Sequence, residues 1–449
     1  MFQKVLIANR GEIALRIIRT CKEMGIRTVI VYSDADKNSL PVKYADETCP
    51  LGPPLARKSY LNVEKIIDIA IKTNSQAIHP GYGFLAENAS FAEACKNNHL
   101  IFIGPSAETH RLTGEKITSR KMAKKAGIPV TPGSDGAISS LEEALCVVRG
   151  IGYPVMIKAS GGGGGRGMKL ANSEEELDRV LRTARGEAAA AFNNSELYIE
   201  KYVKEPRHIE FQILGDQFGH YVHLGERECS IQKRFQKLIE ESPSPLVDES
   251  LRKKMAEAAI RVMDSVGYVN AGTVEFLVDT NKDFYFNEIN SRLQVEHPVT
   301  EMVTGIDLVR QQIIIAAGGK IEFSQEEVRQ NGWAIECRIN AEDPDNGFAP
   351  FPGIITQIFI PGGFGVRVDT HLYPNYEIPP FYDSLVGKLI VWGKDRAETI
   401  ERMKRTLSEF YIEGVKTTIP FHQKVMQDED FIKGDFNTHF LEKFEKGRS

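Results

Sequence analysis

The stretch that decides the fold runs from Ile151 to Met168 and reads IGYPVMIKASGGGGGRGM. A predicted strand, Val155–Ala159, carries Lys158 near its end and leads into five consecutive glycines, and a second strand is predicted from Met168. Five glycines expose backbone N–H groups with no side chain in the way, which suits a loop that folds over phosphates. A Gly-rich run is also typical of a flexible linker, but strands enclose this one on both sides, so we predict a mobile lid. The pattern GxxxxGK[ST] is absent here, which excludes a P-loop.

Upstream of the glycine run, roughly the first hundred residues alternate strand and helix patterns. Val5–Ala8 is typical of a strand, Glu12–Met24 of an amphipathic helix and Thr28–Tyr32 of the next strand. Strands that alternate with helices predict a parallel sheet with helices on both faces. The first turn, Asn9-Arg10-Gly11-Glu12, lacks the GxGxxG pattern, so it does not favour a dinucleotide site.

Downstream, the pattern becomes that of β-hairpins, and two of their strands carry carboxylates. Glu275 lies in TVEFL, and Glu288 lies in YFNEIN with Asn290 two residues later. Alternation along a strand places Glu288 and Asn290 on one face, and pairing of the two strands would bring Glu275 beside them. Such an oxygen-rich group suits Mg²⁺ on the phosphates of a nucleotide. The alternative is a set of exposed carboxylates on the wet face of a hairpin.

A dense polar run, SRLQVEHPVTE, follows from Ser291 to Glu301. One arginine that binds an anion and one glutamate that takes its proton would suit the activation of a small oxyacid. Arg338, in ECRIN, could hold a second anion, although a lone arginine is usually a surface ion-pair partner. The basic segment SIQKRFQK, Ser230–Lys237, is by itself typical of a solvated loop.

Composition limits the classes of protein that this chain can be. The 449 residues carry 56 Lys+Arg and 61 Asp+Glu, a net charge of −5, which argues against a nucleic-acid or membrane-surface binder. The six cysteines include no CxxC pair, which argues against a structural zinc site and fits a reducing compartment. The N-terminal stretch has no signal-peptide pattern and no apolar run is long enough to cross a membrane, so we expect a cytoplasmic protein. The length predicts about three domains.

Together these motifs resemble the biotin carboxylase component of biotin-dependent acyl-CoA and pyruvate carboxylases, which is an ATP-grasp enzyme. The matching stretches follow the family order along nearly the whole chain: IANRGEIA, AIHPGYGFLAEN, IGYPVMIKASGGGGGRGM, ECSIQKRFQK, GTVEF, NEINSRLQVEHPVTEM, ECRINAEDP and YDSLVGKL. The resemblance implies an α/β fold in three parts. These are a doubly wound, Rossmann-like N-terminal domain (1–114), an ATP-grasp domain (115–320) with a mobile lid at about 131–203, and an α+β C-terminal domain (331–446).

The same resemblance implies a set of site residues. ATP would be bound by Lys116, Lys158, Gly164, Gly165, Glu200, Lys201, Tyr202, Val203, His208, Glu275 and Glu288. Mg²⁺ or Mn²⁺ would be held by Glu275, Glu288 and Asn290, and bicarbonate by Lys237, Arg292, Gln294 and Val295. Glu296 would be the base that deprotonates bicarbonate, and Arg338 would stabilise the biotin enolate beside Tyr82, so that the catalytic group is Glu296, Arg292, Arg338 and Lys237. Phe235 stands where many members carry a histidine near the ATP phosphates, so no ATP contact is predicted there.

The activity implied is the ATP- and bicarbonate-dependent carboxylation of biotin through carboxyphosphate, as the first half-reaction of an acetyl-CoA, other acyl-CoA or pyruvate carboxylase. The implied partners are a biotin carboxyl carrier protein, carboxyltransferase subunits and a second copy of the chain in a homodimer. No Met-Lys-Met stretch is present for a biotinyl lysine, so we expect biotin to arrive on another protein. The alternative is another ATP-grasp ligase that joins a carboxylate to an amine. The run RLQVEHPVTEM together with Arg338 favours the carboxylase.

Overall fold

The computed structural model describes residues 1–161, 167–192 and 194–446. In its N-terminal part, short strands alternate with helices. Its strands are β1 (Lys4–Ile7), β2 (Arg27–Ser33), β3 (Glu47–Gly52), β4 (Ala77–His79) and β5 (Ile101–Phe102), and its helices are α1 (Gly11–Glu23), α2 (Leu40–Tyr44), α3 (Val63–Lys72) and α4 (Ala89–Asn97). The strands form a parallel sheet in the order β3-β2-β1-β4-β5. The prediction of a doubly wound domain is confirmed.

Helix α1 follows β1 so closely because Gly11 has a φ of +68°, which a residue with a Cβ rarely adopts. Ile13, Ile17 and Cys21 then recur at helical spacing and pack against β1 in one fully buried cluster. Burial of each aliphatic side chain in such a cluster contributes roughly 1.5–3 kcal/mol. The turn between β1 and α1 is therefore held in place from both sides.

A small three-stranded sheet follows two connecting helices. These helices are α5 (Ala107–Gly114) and α6 (Lys116–Lys125), and the elements of the small unit are α7 (Leu141–Ile151), β6 (Val155–Ala159), β7 (Met168–Ala171), α8 (Glu174–Phe192) and β8 (Leu197–Lys201). The strands pair antiparallel in the order β7-β6-β8, and α7 and α8 pack on them around a core of their own. The predicted lid contains this unit, and its glycines 162–165 lie outside the described residues.

The rest of the chain is organised by one eight-stranded antiparallel sheet. Its strands are β9 (Arg207–Gly215), β10 (Tyr221–Lys233), β11 (Gln236–Ser242), β12 (Asn270–Val278), β13 (Phe284–Asn290), β14 (Trp333–Asn340), β19 (Val366–Thr370) and β21 (Leu385–Gly393). They lie in the order β13-β12-β9-β10-β11-β14-β21-β19. The sheet therefore runs without a break from the predicted ATP-grasp domain into the predicted C-terminal domain.

Helices and short strands surround this sheet. They are α9 (Glu249–Ser265), α10 (His297–Thr304), α11 (Leu308–Ala316), β15 (Glu342–Asp343), β16 (Ala349–Pro350), β17 (Gly353–Ile354), β18 (Gln357–Phe359), β20 (Glu377–Ile378), α12 (Arg396–Glu409), β22 (Tyr411–Glu413), α13 (Ile419–Val425), α14 (Glu429–Lys433) and α15 (Phe440–Lys446). Strand β14 separates two cores. Ile335 and Ile339 face the cluster that contains α12, whereas Ala334 faces Val299 and Val303 of α10. Alternate residues of β14, which share the face of Ala334, therefore point towards α10.

Within the described ranges, no helix is both long enough and apolar enough to cross a membrane. All six cysteines are free thiols, and four of them are buried. The sequence-based expectation of scattered, unpaired cysteines is confirmed.

Candidate active site

A cleft of about 1080 Å³ lies between the small β6–β8 unit and the large sheet. Sixteen of the predicted site residues line it: Lys116, Lys158, Glu200, Lys201, Tyr202, Val203, His208, Lys237, Glu275, Glu288, Asn290, Arg292, Gln294, Val295, Glu296 and Arg338. Gly164 and Gly165 lie outside the described residues. Residues predicted from separate motifs thus meet in one cavity.

The two predicted metal-binding strands pair as expected. Glu275 of β12 and Glu288 of β13 are direct cross-strand partners, and the side-chain amide of Asn290 donates to Glu275 Oε1 at 2.9 Å. Glu288 Oε2 lies 3.0 Å from Lys116 Nζ. The alternative of carboxylates on a wet hairpin face is wrong for Glu275, which is only 4% exposed. Carboxylate and amide oxygens are the donors that Mg²⁺ prefers, so this group fits that ion.

Lys237 lies among three carboxylates on the floor of the cleft. Its ammonium donates to Glu210 Oε2 at 2.6 Å, Glu275 Oε1 at 3.0 Å and Glu296 Oε1 at 2.6 Å. Burial lowers the pKa of Lys237, but the surrounding anionic groups outweigh burial and raise this pKa well above its usual value. The ammonium is therefore a permanent positive charge that links the metal-binding strands to Glu296.

Glu296 lies at the start of α10, between two cations. Its Oε1 accepts from Lys237, and its Oε2 accepts from Arg338 Nη2 at 2.9 Å. Burial raises the pKa of Glu296, but Lys237, Arg338 and Arg227 outweigh burial and lower it well below its usual value. Glu296 is thus a buried carboxylate held in its ionised form.

Arg338 lies on β14 with a side chain that is only 15% exposed, so its interpretation as a surface ion-pair partner is wrong. Its Nε donates to Glu240 Oε1 at 2.6 Å, and its Nη2 is shared between Glu240 and Glu296. Burial lowers the pKa of Arg338, but the two glutamates raise it above the usual value. The guanidinium is fixed between two carboxylates at the edge of the cleft.

Arg292 and Gln294 lie on the side of the cleft that is predicted to bind bicarbonate. Arg292 Nε donates to Glu87 Oε2 at 2.9 Å, and its Nη2 donates to Asn290 Oδ1 at 3.0 Å. The Gln294 amide donates to Glu275 Oε1 at 3.1 Å and accepts from Arg227 Nη2 at 2.7 Å. The polar run after β13 is therefore anchored to the large sheet through Asn290, Glu275 and Arg227 and to the N-terminal part through Glu87.

The opposite end of the cleft is formed by β6, β8 and the residues that follow β8. Lys158 forms an ion pair with Glu200, which also accepts from Thr131 Oγ1 at 2.9 Å. Burial raises the pKa of Glu200, but Lys158 and Arg120 outweigh burial and lower it. Lys201 N–H donates to Pro132 O at 2.7 Å, which fixes the chain where it leaves the small unit.

Tyr82 is the one described site residue that does not line the cleft. Lys388 Nζ lies 5.7 Å from the centre of its ring and donates to the Val295 carbonyl oxygen at 2.9 Å. The buried Lys388 thus lies near both the Tyr82 ring and Val295 of the predicted bicarbonate-binding segment.

The sequence did not single out several charged residues that organise this site. Arg227 is fully buried and donates to Glu210 Oε1 at 2.6 Å and to Gln294. Glu240 and Lys388 are also fully buried. A polar residue at every second position of an otherwise apolar strand, as in HIEFQIL around Glu210, is one signal for buried polar groups of this kind. Lys388 is a lone charge in the apolar strand LVGKLIVWG.

The segment Ser230–Lys237 is not a solvated loop. It contains the end of β10 and the start of β11, joined at Arg234-Phe235, with Lys233 opposite Gln236. Both turn residues have positive φ, +50° and +67°, whereas such turns normally carry Asn-Gly. The absence of a recognisable turn sequence explains the incorrect interpretation.

Three family models cover most of the chain in consecutive stretches. They are "Biotin carboxylase, N-terminal domain" at residues 1–110, "Carbamoyl-phosphate synthase L chain, ATP binding domain" at 115–324 and "Biotin carboxylase C-terminal domain" at 336–443. The biotin carboxylase of Nostoc sp. is 55% identical over 445 residues, which is 99% of this chain and 100% of that protein.

Two solved structures share the fold over nearly the full length. Biotin carboxylase from Campylobacter jejuni, in a β-γ-ATP complex, has a TM-score of 0.96 at 49% identity and covers 99% of each chain. The biotin carboxylase domain dimer of Hydrogenobacter thermophilus 2-oxoglutarate carboxylase, in complex with MgADP, ADP and bicarbonate, has a TM-score of 0.95 at 49% identity. That match covers 99% of this chain and 98% of the other. Sequence identity, fold and the cleft agree, and the chain belongs to the biotin carboxylase family of ATP-grasp enzymes.

Proposed function

We propose that this chain carboxylates biotin with ATP and bicarbonate, as the first half-reaction of a biotin-dependent carboxylase. The observation that carries this proposal is the position of Glu296, an ionised buried carboxylate between Lys237 and Arg338. It lies in the same cleft as the lysines and carboxylates suited to a nucleotide. A site of this kind acts by positioning and charge stabilisation, which is what phosphoryl transfer needs.

At the nucleotide end of the cleft, separate groups of residues would bind the phosphates and the adenine of ATP. Lys116, Lys158 and His208 would contact the phosphates, and the segment from Glu200 to Val203 would hold adenine where the chain leaves β8. Glu275, Glu288 and Asn290 would hold Mg²⁺ or Mn²⁺, which when bound neutralises phosphate charge.

The predicted glycine lid adds an expectation that rests on sequence alone. Gly164 and Gly165 would close over the phosphates, and replacement of Gly163 and Gly164 with bulkier residues should raise the KM for ATP. An unchanged KM would argue that this loop does not close on the nucleotide.

Bicarbonate would bind between Arg292, Lys237 and the Gln294–Val295 segment. Glu296 would take its proton, and the resulting carbonate oxygen would attack the γ-phosphorus, with ADP as the leaving group. Because Lys237 and Arg338 lower the pKa of Glu296, Glu296 becomes an effective base only when the bound substrate draws these cations away from it.

The second stage would use the products of the first. Carboxyphosphate would collapse to CO₂ and phosphate, and phosphate would take the N1 proton of biotin. Arg338 would stabilise the negative charge on the ureido oxygen while the nitrogen attacks CO₂, with Tyr82 beside the ring. We further propose a cytoplasmic homodimer that receives biotin on a separate carrier protein and passes the carboxyl group to carboxyltransferase subunits.

The test is ATP hydrolysis measured with and without bicarbonate and free biotin. Hydrolysis should require both, and it should be lost in Glu296→Ala and Arg338→Ala. Arg405→Ala is the control, because Arg405 pairs with Glu409 on the exposed surface of α12 and does not line the cleft. Hydrolysis that does not respond to biotin would favour the carboxylate–amine ligase instead.

A further inference from the structure

Two fully buried glutamates lie behind Arg338, on the face of β11 and β14 that α10 covers. Glu240 of β11 and Glu336 of β14 are direct partners in an antiparallel pair, and both are 0% exposed. Side chains at directly opposed positions of antiparallel strands are in contact distance. Glu336 is also two residues from Arg338, so all three side chains share one face.

The two carboxyl groups have few hydrogen-bond donors. Among the described residues, neither oxygen of Glu336 has a hydrogen-bond partner, and Glu240 Oε2 has none either. Of the four oxygens of this pair, Glu240 Oε1 is the one that the Arg338 guanidinium reaches among the described residues. Two ionised carboxylates side by side without solvent or donors would repel each other strongly. A proton held between them removes one negative charge and supplies the missing donor.

The charges that surround the pair support one bound proton. The positive charges that lower the pKa of Glu336 are those of Lys388 on β21 and Arg338 on β14, and Glu240 and Glu296 add negative charges that raise it. Lys388 Nζ donates a hydrogen bond to Val295 O and lies 3.5 Å from Glu12 Oε2. Its positive charge is therefore shared with Glu12 and does not act on Glu336 alone.

The remaining titratable neighbours do not supply the missing positive charge. Lys237 of β11 is shared by three other carboxylates. Burial lowers the pKa of His297, on α10, well below its usual value and raises that of the Cys229 thiol, on β10, so both are neutral near pH 7. Burial likewise raises the pKa of Glu240 to about 7 and that of Glu336 well above its usual value.

We propose that Glu240 and Glu336 share one proton and act as a positioning pair that sets how firmly Arg338 is held away from Glu296. When Glu240 is ionised, it competes with Glu296 for the same Nη2 group, which leaves Glu296 a stronger base. When Glu240 is protonated, it no longer attracts the Arg338 guanidinium as an anion, and Arg338 then pairs with Glu296 alone. This inference rests on the proposed function for its kinetic consequence but not for the shared proton itself.

The shared proton is tested by infrared difference spectroscopy on the full chain at neutral pH. The carbonyl band of a protonated carboxylic acid should be present in the wild type and lost in Glu336→Gln. Glu226→Gln is the matched control, because Glu226 is equally buried but pairs with Arg252 through two hydrogen bonds of 2.7 Å. Persistence of the full band in Glu336→Gln would overturn the proposal. If that variant does not fold, Glu336→Met, which removes the same carboxyl group without adding an amide, must lose the band.

The positioning role is tested by the pH dependence of kcat/KM for free biotin. In the wild type this constant should rise by about fivefold between about pH 6 and about pH 8, because Glu240 ionises in this interval and leaves Glu296 a stronger base. The rise should disappear in Glu240→Gln, which has no carboxylate at this position, and remain in Glu226→Gln. An unaltered pH profile in Glu240→Gln would overturn the positioning role. A wild type with no response to biotin would instead defeat the proposed function, and the infrared result would still stand.

Discussion

At the scale of single residues, the pKa values of neighbouring carboxylates of this site are shifted in opposite directions, because the carboxylates differ in the number of nearby cations. Burial raises the pKa of both Glu296 and Glu240, yet only that of Glu296 ends well below its usual value. Glu296 has Lys237 and Arg338 as hydrogen-bond donors, whereas Glu240 has Arg338 alone. The same residue type is therefore suited to act as an ionised base at one position and, as we propose, to share a proton at the other.

Replacement of Lys237 with methionine tests how far the site depends on this one ammonium. Lys237→Met keeps the length of the side chain but leaves Glu210, Glu275 and Glu296 without their shared donor. We expect kcat/KM for bicarbonate to fall by roughly 100-fold, as when one charge-stabilising donor is removed. Steady-state kinetics with bicarbonate as the varied substrate checks this.

The control for that variant is Lys124→Met, which removes an exposed ion pair with Asp135. Unchanged kinetics in Lys237→Met would contradict a role for this lysine in bicarbonate binding.

Glu12 gives a prediction about stability and pH. Both of its oxygens lack hydrogen-bond partners within the described residues, and burial raises its pKa from 4.5 to about 7, against the opposing charge of Lys388. The folded state thus binds the proton more tightly than the unfolded state, so stability falls as pH rises through this interval. Glu12→Gln removes this loss, and at about pH 8 it should be more stable than the wild type by up to about 3 kcal/mol.

Denaturant unfolding at several pH values checks the Glu12 prediction. The difference between variant and wild type should be small near pH 4.5 and should grow towards neutral pH. A difference that stays constant over the whole range would show that Glu12 does not change protonation on folding.

At the scale of elements, the β10–β11 hairpin carries strain at its tip. Phe235 has a φ of +67° and is 55% exposed on the wall of the cleft. The left-handed conformation costs a residue with a Cβ about 1 kcal/mol, and an exposed ring regains little by burial. Backbone strain of this kind is frequent at ligand sites.

Phe235→Gly should therefore raise the free energy of unfolding by up to about 1 kcal/mol. Phe218→Gly is the control, because Phe218 is 58% exposed but lies outside the set of positive-φ residues and contacts Lys320. Urea unfolding of both variants provides the measurement. Equal destabilisation of the two proteins would mean that the tip is not strained.

At the scale of the whole molecule, the N-terminal sheet and the C-terminal part are joined through a buried ion pair. Arg10 binds Asp36 by two hydrogen bonds of 2.8 Å, and its guanidinium lies 4.3 Å from the ring centre of Tyr382. Tyr382 Oη donates to Ser33 Oγ at 2.6 Å. The chain just before β21 is therefore fixed to the ends of β1 and β2.

Asp36→Asn should destabilise the protein by about 3 kcal/mol near neutral pH, because it leaves Arg10 buried without its counter-charge. Burial raises the pKa of Asp36, but Arg10 and Tyr60 outweigh burial and lower it below 3.8. This stabilisation is present above the unfolded-state pKa and is lost as pH falls through the folded-state value. The gap between wild type and variant should therefore close in acid.

Thermal unfolding at neutral and acidic pH checks this prediction, with Asp34→Asn as the control on the exposed side of the same turn. A gap that is equally large in acid would exclude the ion pair as its source.

The sequence by itself determined the doubly wound start, the paired strands of Glu275 and Glu288, and the residues that meet in the cleft. Local patterns carry this information, since strand alternation sets which side chains share a face and the family motifs stand in order along the chain.

Only the tertiary structure decided which charged side chains lie next to each other. Glu240 and Glu336 are 96 positions apart in the chain and become neighbours through the register of β11 and β14. Lys388 reaches Val295 across a similar separation. The energy of a charge depends on burial and on the ions around it, and both are set by packing between distant segments. No local pattern shows which glutamate of this site lies between cations and which lies without hydrogen-bond donors.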